Sequence, residues 1–245
     1  MKKQEVAVKQ EGGALAAPGA PRRGFEEGTI KEDLIIPRAK LLQALSPEVL
    51  EETKTLEGKD LKQGMIINSI TKAILPVEFI PVFKFSNWVR FNPRNTQDPR
   101  YLKDYDPGAV IWRSSDPLDP KVVEEAKFGP NGERPAATKF LNFFAYFPGS
   151  EMPVIVSFSN TSYKAGKQLL SLCQFTQGDM FSRKYKLGSK QAKNDIGTYF
   201  VLTVEPAGMA SETDFKIAEG LWNTFATKVK DIQVDAEHPG EEAPF

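Results

Sequence analysis

One cysteine and one histidine are all the chain has of the two residue types that carry most metal and nucleophilic chemistry. Cys173 alone cannot form an internal disulfide or a multi-cysteine zinc site. His238 sits in an acidic stretch containing Pro and Gly, so histidine-based catalysis and the common zinc ligand sets are not expected. No run approaches the ~20 apolar residues of a membrane helix. No apolar run follows Lys2 and Lys3 either, so a secretory signal is not expected and the cytosol is the default compartment. Net charge is absent too, with 32 Lys and Arg against 32 Asp and Glu. Any nucleic-acid site would therefore have to be built by segregating charge.

What is present is apolar and aromatic. The chain of 245 residues is 40% hydrophobic, enough for a core, and holds 17 Phe beside 6 Tyr and 3 Trp. Residues 1–29 are rich in Gly, Ala, Pro and charge and read as a flexible arm. Residues 30–230 read as one folded domain and residues 231–245 as an acidic tail. In DLIIPRAKLLQALSPEVLEE, Pro37 and Pro47 leave room for a strand and a short helix. Strands are expected over 65–70, 77–91 (one long strand or a bulged pair), 109–112, 138–147 and 153–158, with residues 92–137 otherwise loop. A helix is expected over 161–175 with Asn160 or Thr161 as its N-cap, then paired strands over 184–187 and 197–205 around GSKQAKNDIG. The last helix begins at the Ser211/Asp214 pair, and Phe215, Ala218, Trp222, Phe225 and Val229 form its core stripe. The aromatics of TKFLNFFAYF fall on both faces, as in a central, fully buried strand.

Enzyme machinery is not visible. There is no GxGxxG after a strand, no Walker A loop, no HExxH and no GxSxG. Asp98, Asp104, Asp106, Asp116 and Asp119 are scattered through loops, where Asp-Pro pairs serve turns more often than metals. No catalysis and no cofactor are expected.

The positive signal lies in 77–91. Alternation puts Val77, Phe79, Phe83, Phe85, Val89 and Phe91 on one side, and Lys84, Ser86, Trp88 and Arg90 on the other. A solvent-facing Trp between cations is what single-stranded nucleic-acid binding uses, the ring stacking on bases and the cations meeting phosphates. The competing reading is that Trp88 packs under a loop and the cations only solvate the strand. Arg94, Arg100, Tyr101, Lys103, Tyr105, Trp112 and Arg113 continue the mixture. A second block, FSRKYKLGSKQAKN, is free of acids, and alternation places Lys184 and Lys186 on one face with Tyr185 and Leu187 on the other.

After Lys230 the chain carries Asp231, Asp235, Glu237, Glu241 and Glu242 without a Lys or Arg, and it ends EEAPF. That ending resembles the acidic tip, closing in Pro-Phe, of bacterial single-stranded DNA-binding proteins. IIPRAKLLQALSPEV, GMIINSIT and MFSRKYKLGSKQAKNDIGTYFV resemble the body of phage single-stranded DNA-binding proteins of OB-fold type. The resemblance implies a protein that coats exposed strands in replication or recombination and recruits partner proteins through its tail. The N-terminal arm and the Pro-rich loops depart from a minimal OB barrel.

The fold expected is mainly β, an OB-like barrel with one or two flanking helices, an N-terminal arm and an acidic C-terminal tail. The function expected is sequence-tolerant binding of single-stranded DNA. Its site comprises Lys84, Trp88, Arg90, Arg94, Tyr101, Trp112, Arg113, Lys184 and Lys186, while Glu241, Glu242, Pro244 and Phe245 contact a partner protein. The alternatives are a virion or scaffold-type interaction protein and a metal-dependent nucleic-acid enzyme.

Overall fold

The computed structural model describes residues 35–226, except 53, 56–57, 151 and 196, together with the backbone of 233–234. The chain is mainly β. Three short strands come first or lie beside the main sheet: β1 (Ile35–Ile36), β2 (Ala39–Leu41) and β3 (Ile66–Asn68), with helix α1 (Pro47–Leu50) between the last two. The central strand is β4 (Glu78–Phe91), followed by β5 (Val110–Ser114), helix α2 (Pro120–Glu125), β6 (Ala137–Tyr146) and β7 (Val154–Phe158). Helix α3 (Tyr163–Gln174), the hairpin β8 (Arg183–Lys193) and β9 (Thr198–Met209), helix α4 (Glu212–Phe225) and β10 (Gln233–Val234) complete it.

Six strands form one sheet in the order β7-β6-β4-β8-β9, with β5 also paired to β4. Strands β7 and β9 are not paired with each other, so the sheet is open and the expected barrel does not close. The reason lies in β4. On the side away from β6, its residues Glu78 and Phe79 pair with β8, whereas Trp88 to Phe91 pair with β5. The sheet therefore forks along one strand, and a bulge between Pro81 and Phe83 marks the bend.

Alternation along β6 feeds two cores at once. Phe143 and Ala145 belong to a cluster that contains Ala165, Leu169 and Cys173 of α3, while Phe144 packs with Ile80, Val82 and Ala218 of α4. Residues 140–145 are accordingly buried without a break, as expected for a fully covered strand. Helix α3 lies close because of Gly166, where a Cβ would come within 2.6 Å of the Phe158 Cβ. Cys173 is buried there against the Tyr185 hydroxyl, and burial pushes its thiol pKa up.

Edge strands leave unpaired backbone groups that invite other strands. Here β9 is covered by side chains. Gln43 both donates to the Phe200 carbonyl and accepts from its amide, each at 2.9 Å. Ser162 accepts from Leu202 N–H, and Gln168 donates to the Val204 carbonyl. Strand β7 is covered by the segment before β2, through the Ile155 N–H to Pro37 carbonyl bond.

Several elements run differently from expectation. Helix α2 occupies part of what reads as loop, although Asp119 accepting from Lys121 N–H and Pro120 in the first turn are ordinary start signals. The α3 N-cap is Ser162, because a 3-10 turn takes up Asn160–Ser162. The β8–β9 hairpin is much longer than the short pair expected. At α4, Ser211 accepts from Asp214 N–H as foreseen. Trp222, by contrast, is 46% exposed, because Leu221 takes the core position one step earlier. Val229 and the tail residues Glu241, Glu242, Pro244 and Phe245 lie outside the described residues.

Candidate nucleic-acid interface

Alternation along β4 holds only from Phe83 onward. The bulge after Pro81 puts Phe79 in the core under α3 and Phe83 and Phe85 in the core under α4, so the expected single apolar face is split. Neither face of the later stretch is the expected open one. Residues directly opposite in an antiparallel pair share a face, so Trp88, Arg90, Trp112 and Lys139 lie together, and Arg113 lies opposite them with Val89. Trp88 is only 9% exposed, with the Lys139 ammonium 5.2 Å from its ring centroid. The expectation that Trp88 stacks on a base is thus corrected by its burial.

Arg90 is corrected in the same way. It is 8% exposed and bonds the carbonyls of Phe91, Ala136 and Arg100, while its Nε lies 3.1 Å from Glu125 of α2. Burial draws its pKa down, opposed by the Glu125 charge. Its role is to tie the loop after β4 and the helix α2 to the sheet. Asn92 completes that job by donating to the carbonyls of Leu102, Tyr105 and Asp106. Tyr101 and Trp112 are half-buried in the same region, and the Trp112 indole N–H is shielded without a hydrogen bond among the described residues. Arg94 and Arg113 are exposed.

The hairpin fares better. Tyr185 and Leu187 are buried in the α3 core, and Lys186 is exposed on the opposite face with the half-buried Lys184, as alternation predicts. The block free of acids in sequence is nevertheless met by acids in space. Lys184 pairs with Glu78 at 2.7 Å, which lowers the Glu78 carboxyl pKa and raises that of the lysine. Lys186 stands opposite Glu205 on β9 and Glu78 on β4. Further along, Gly188 and Lys190 face Thr203 and Val201, and Tyr199 lies diagonally beyond, so this outward stretch carries no carboxylate.

Sequence reasoning overlooked a second feature. Phe175, just past α3, is 88% exposed and lines an open cleft with Trp222, Lys84, Met180 and Phe83. The signal was present: Ala165, Leu169 and Cys173 define the buried stripe of α3, and residue 175 falls about 200° around the helix from Cys173. Lys84 is the one member of the β4 group that remains at the surface near a ring.

Among the described residues, no group of three or more His, Cys, Asp or Glu side chains is placed to hold a metal ion. No helix among them is long and apolar enough to cross a membrane. No curated protein and no solved structure matches the chain. The family of Pam3 phage gp34-like proteins, however, matches residues 10–230, which is most of the sequence, and the chain belongs to that family.

Proposed function

We propose that the protein binds single-stranded DNA without sequence preference, as a non-enzymatic component of phage replication or recombination in the host cytoplasm. The observation that carries this reading is the outward face of the β8–β9 hairpin. Lys186 and Lys190 flank a glycine there, Tyr199 lies diagonally across from Lys190, and among the described residues no acid of β9 faces the strand beyond Glu205. A glycine between two lysines, with the Thr203 hydroxyl of β9 beside it, suits a sugar-phosphate chain better than it suits a base pair. The membership in a phage family and the resemblance of the EEAPF ending support the same reading, with Glu241, Glu242, Pro244 and Phe245 recruiting a partner protein.

A second reading is a virion or scaffold-type interaction protein. It is favoured by the exposure of Leu118 at 80%, Phe128 at 72% and Phe175 at 88%. Fluorescence anisotropy with a labelled oligo-dT across a salt series separates the two. Phosphate binding gives an affinity that falls steeply with salt, with single strands preferred over duplex, and Lys190→Ala weakens it. An apolar assembly surface gives salt-insensitive self-association and no oligonucleotide binding. Degradation of the strand with magnesium, stopped by chelator, would instead make the protein an enzyme.

A further inference from the structure

The cleft between α3 and α4 combines features that the core does not need. Phe175, at the end of α3, stands 88% exposed and Trp222 of α4 46% exposed, and the two helices pack on opposite faces of the sheet. Both reach the stretch of β4 between its β8-paired and β5-paired ends, where no strand lies on the side away from β6 among the described residues. Phe83 and Met180 lie at its base, and Gln174 offers an amide at its rim. Among the described residues the only charged side chain lining it is Lys84, while Asp179, beside Met180 in sequence, does not line it.

Two flat rings in water, an adjacent ammonium and an amide edge match the chemistry of an unpaired nucleotide. The rings offer π faces to a base, the cation meets its phosphate, and the amide reaches its hydrogen-bonding edge. An aliphatic peptide side chain would use the rings but would leave Lys84 with nothing to neutralise. The cleft also lies on the route to the hairpin, because Met180 at its base is followed by β8, which begins at Arg183. We infer that this cleft takes unpaired bases of a single strand, stacked on Phe175 and Trp222, with Lys84 on the adjoining phosphate. The inference rests on the single-strand reading above and supplies the stacking residues that Trp88 cannot provide.

The test is titration of the full chain with oligo-dT, read both by anisotropy and by tryptophan fluorescence. Phe175→Ala and Trp222→Ala are each expected to weaken binding about tenfold without changing the salt slope, since a stack but no phosphate contact is lost. Phe175→Tyr keeps the affinity. Trp222→Phe keeps the affinity too but removes the quenching that arises in the cleft, because neither the buried Trp88 nor the half-buried Trp112 lines it. Lys84→Ala lowers the salt slope by about 1. Both rings are exposed, and unchanged thermal melting of the variants checks that the fold is kept. If the two alanine variants bind like the wild type while Lys190→Ala binds weakly, the cleft inference is overturned and the single-strand reading stands. If the wild type binds no oligonucleotide, that reading fails and the cleft inference goes with it. If a peptide of residues 231–245, and not oligo-dT, quenches Trp222, the cleft is a peptide seat and the inference is wrong.

Discussion

At the scale of residues, several charges of this protein are committed to one another in the fold. Glu48 is the clearest instance: its carboxylate, 7% exposed, lies 3.0 Å from the Lys40 ammonium and 2.9 Å from that of Lys72. Burial alone would raise its pKa, yet hydrogen bonds from Lys72 and Lys40 outweigh that and hold it at about 2, against the ordinary 4.5. Because the folded value is the lower one, the stabilisation is complete above the ordinary value and is lost as pH falls through the folded one. Glu48→Gln should cost roughly 3 kcal/mol at neutral pH and should flatten the acid limb of stability between those two values, read by urea melts across pH. Arg90→Ala should destabilise by a similar amount, about 3 kcal/mol, because it removes an ion pair and three carbonyl contacts at once. Trp88→Leu, which removes the ring but keeps an apolar side chain of some bulk, should leave oligonucleotide affinity unchanged, a result that a stacking role for Trp88 could not survive. The β4 pattern was readable as alternation only beyond the bulge between Pro81 and Phe83, and whether a given face meets water was not readable at all. That depends on Glu125, some 35 residues away in sequence, and on two helices packed from opposite sides.

At the scale of elements, the exposed edge of β9 is managed by side chains of other segments. Gln43→Ala removes both bonds to Phe200, so a loss of about 1–2 kcal/mol is expected. Hydrogen exchange at the Phe200 amide should accelerate by more than that at Leu202, whose bond to Ser162 remains. Equal acceleration along the whole strand would mean that Gln43 acts through global stability instead. Most elements were legible because their signals are local: the Ser211 cap of α4, the two-faced aromatic run of β6, and Pro47 opening α1. The fork in the sheet was not. It arises because β4 exchanges one neighbour for another along its length, and strand order is a long-range property that no local window contains. Likewise Trp222 fits the helical stripe by spacing, yet Leu221 and Phe225 already fill the site facing Phe144.

At the scale of the whole molecule, neutrality is a balance between regions. Removing residues 231–245 takes away five acids and no Lys or Arg, leaving 32 cations against 27 anions, a net charge of +5. The truncated protein should bind oligo-dT as tightly as the full chain or more tightly at low salt, with the difference vanishing as salt rises. A truncation that weakened binding at all salt concentrations would place part of the tail in the DNA site. The burial of Cys173 beside Tyr185 has a practical consequence at this scale. A native chain whose one thiol is sealed inside the fold and held protonated gives no background to thiol-directed dyes. A cysteine introduced at position 175 would then carry a single reporter at the mouth of the cleft, with no need to remove the natural one.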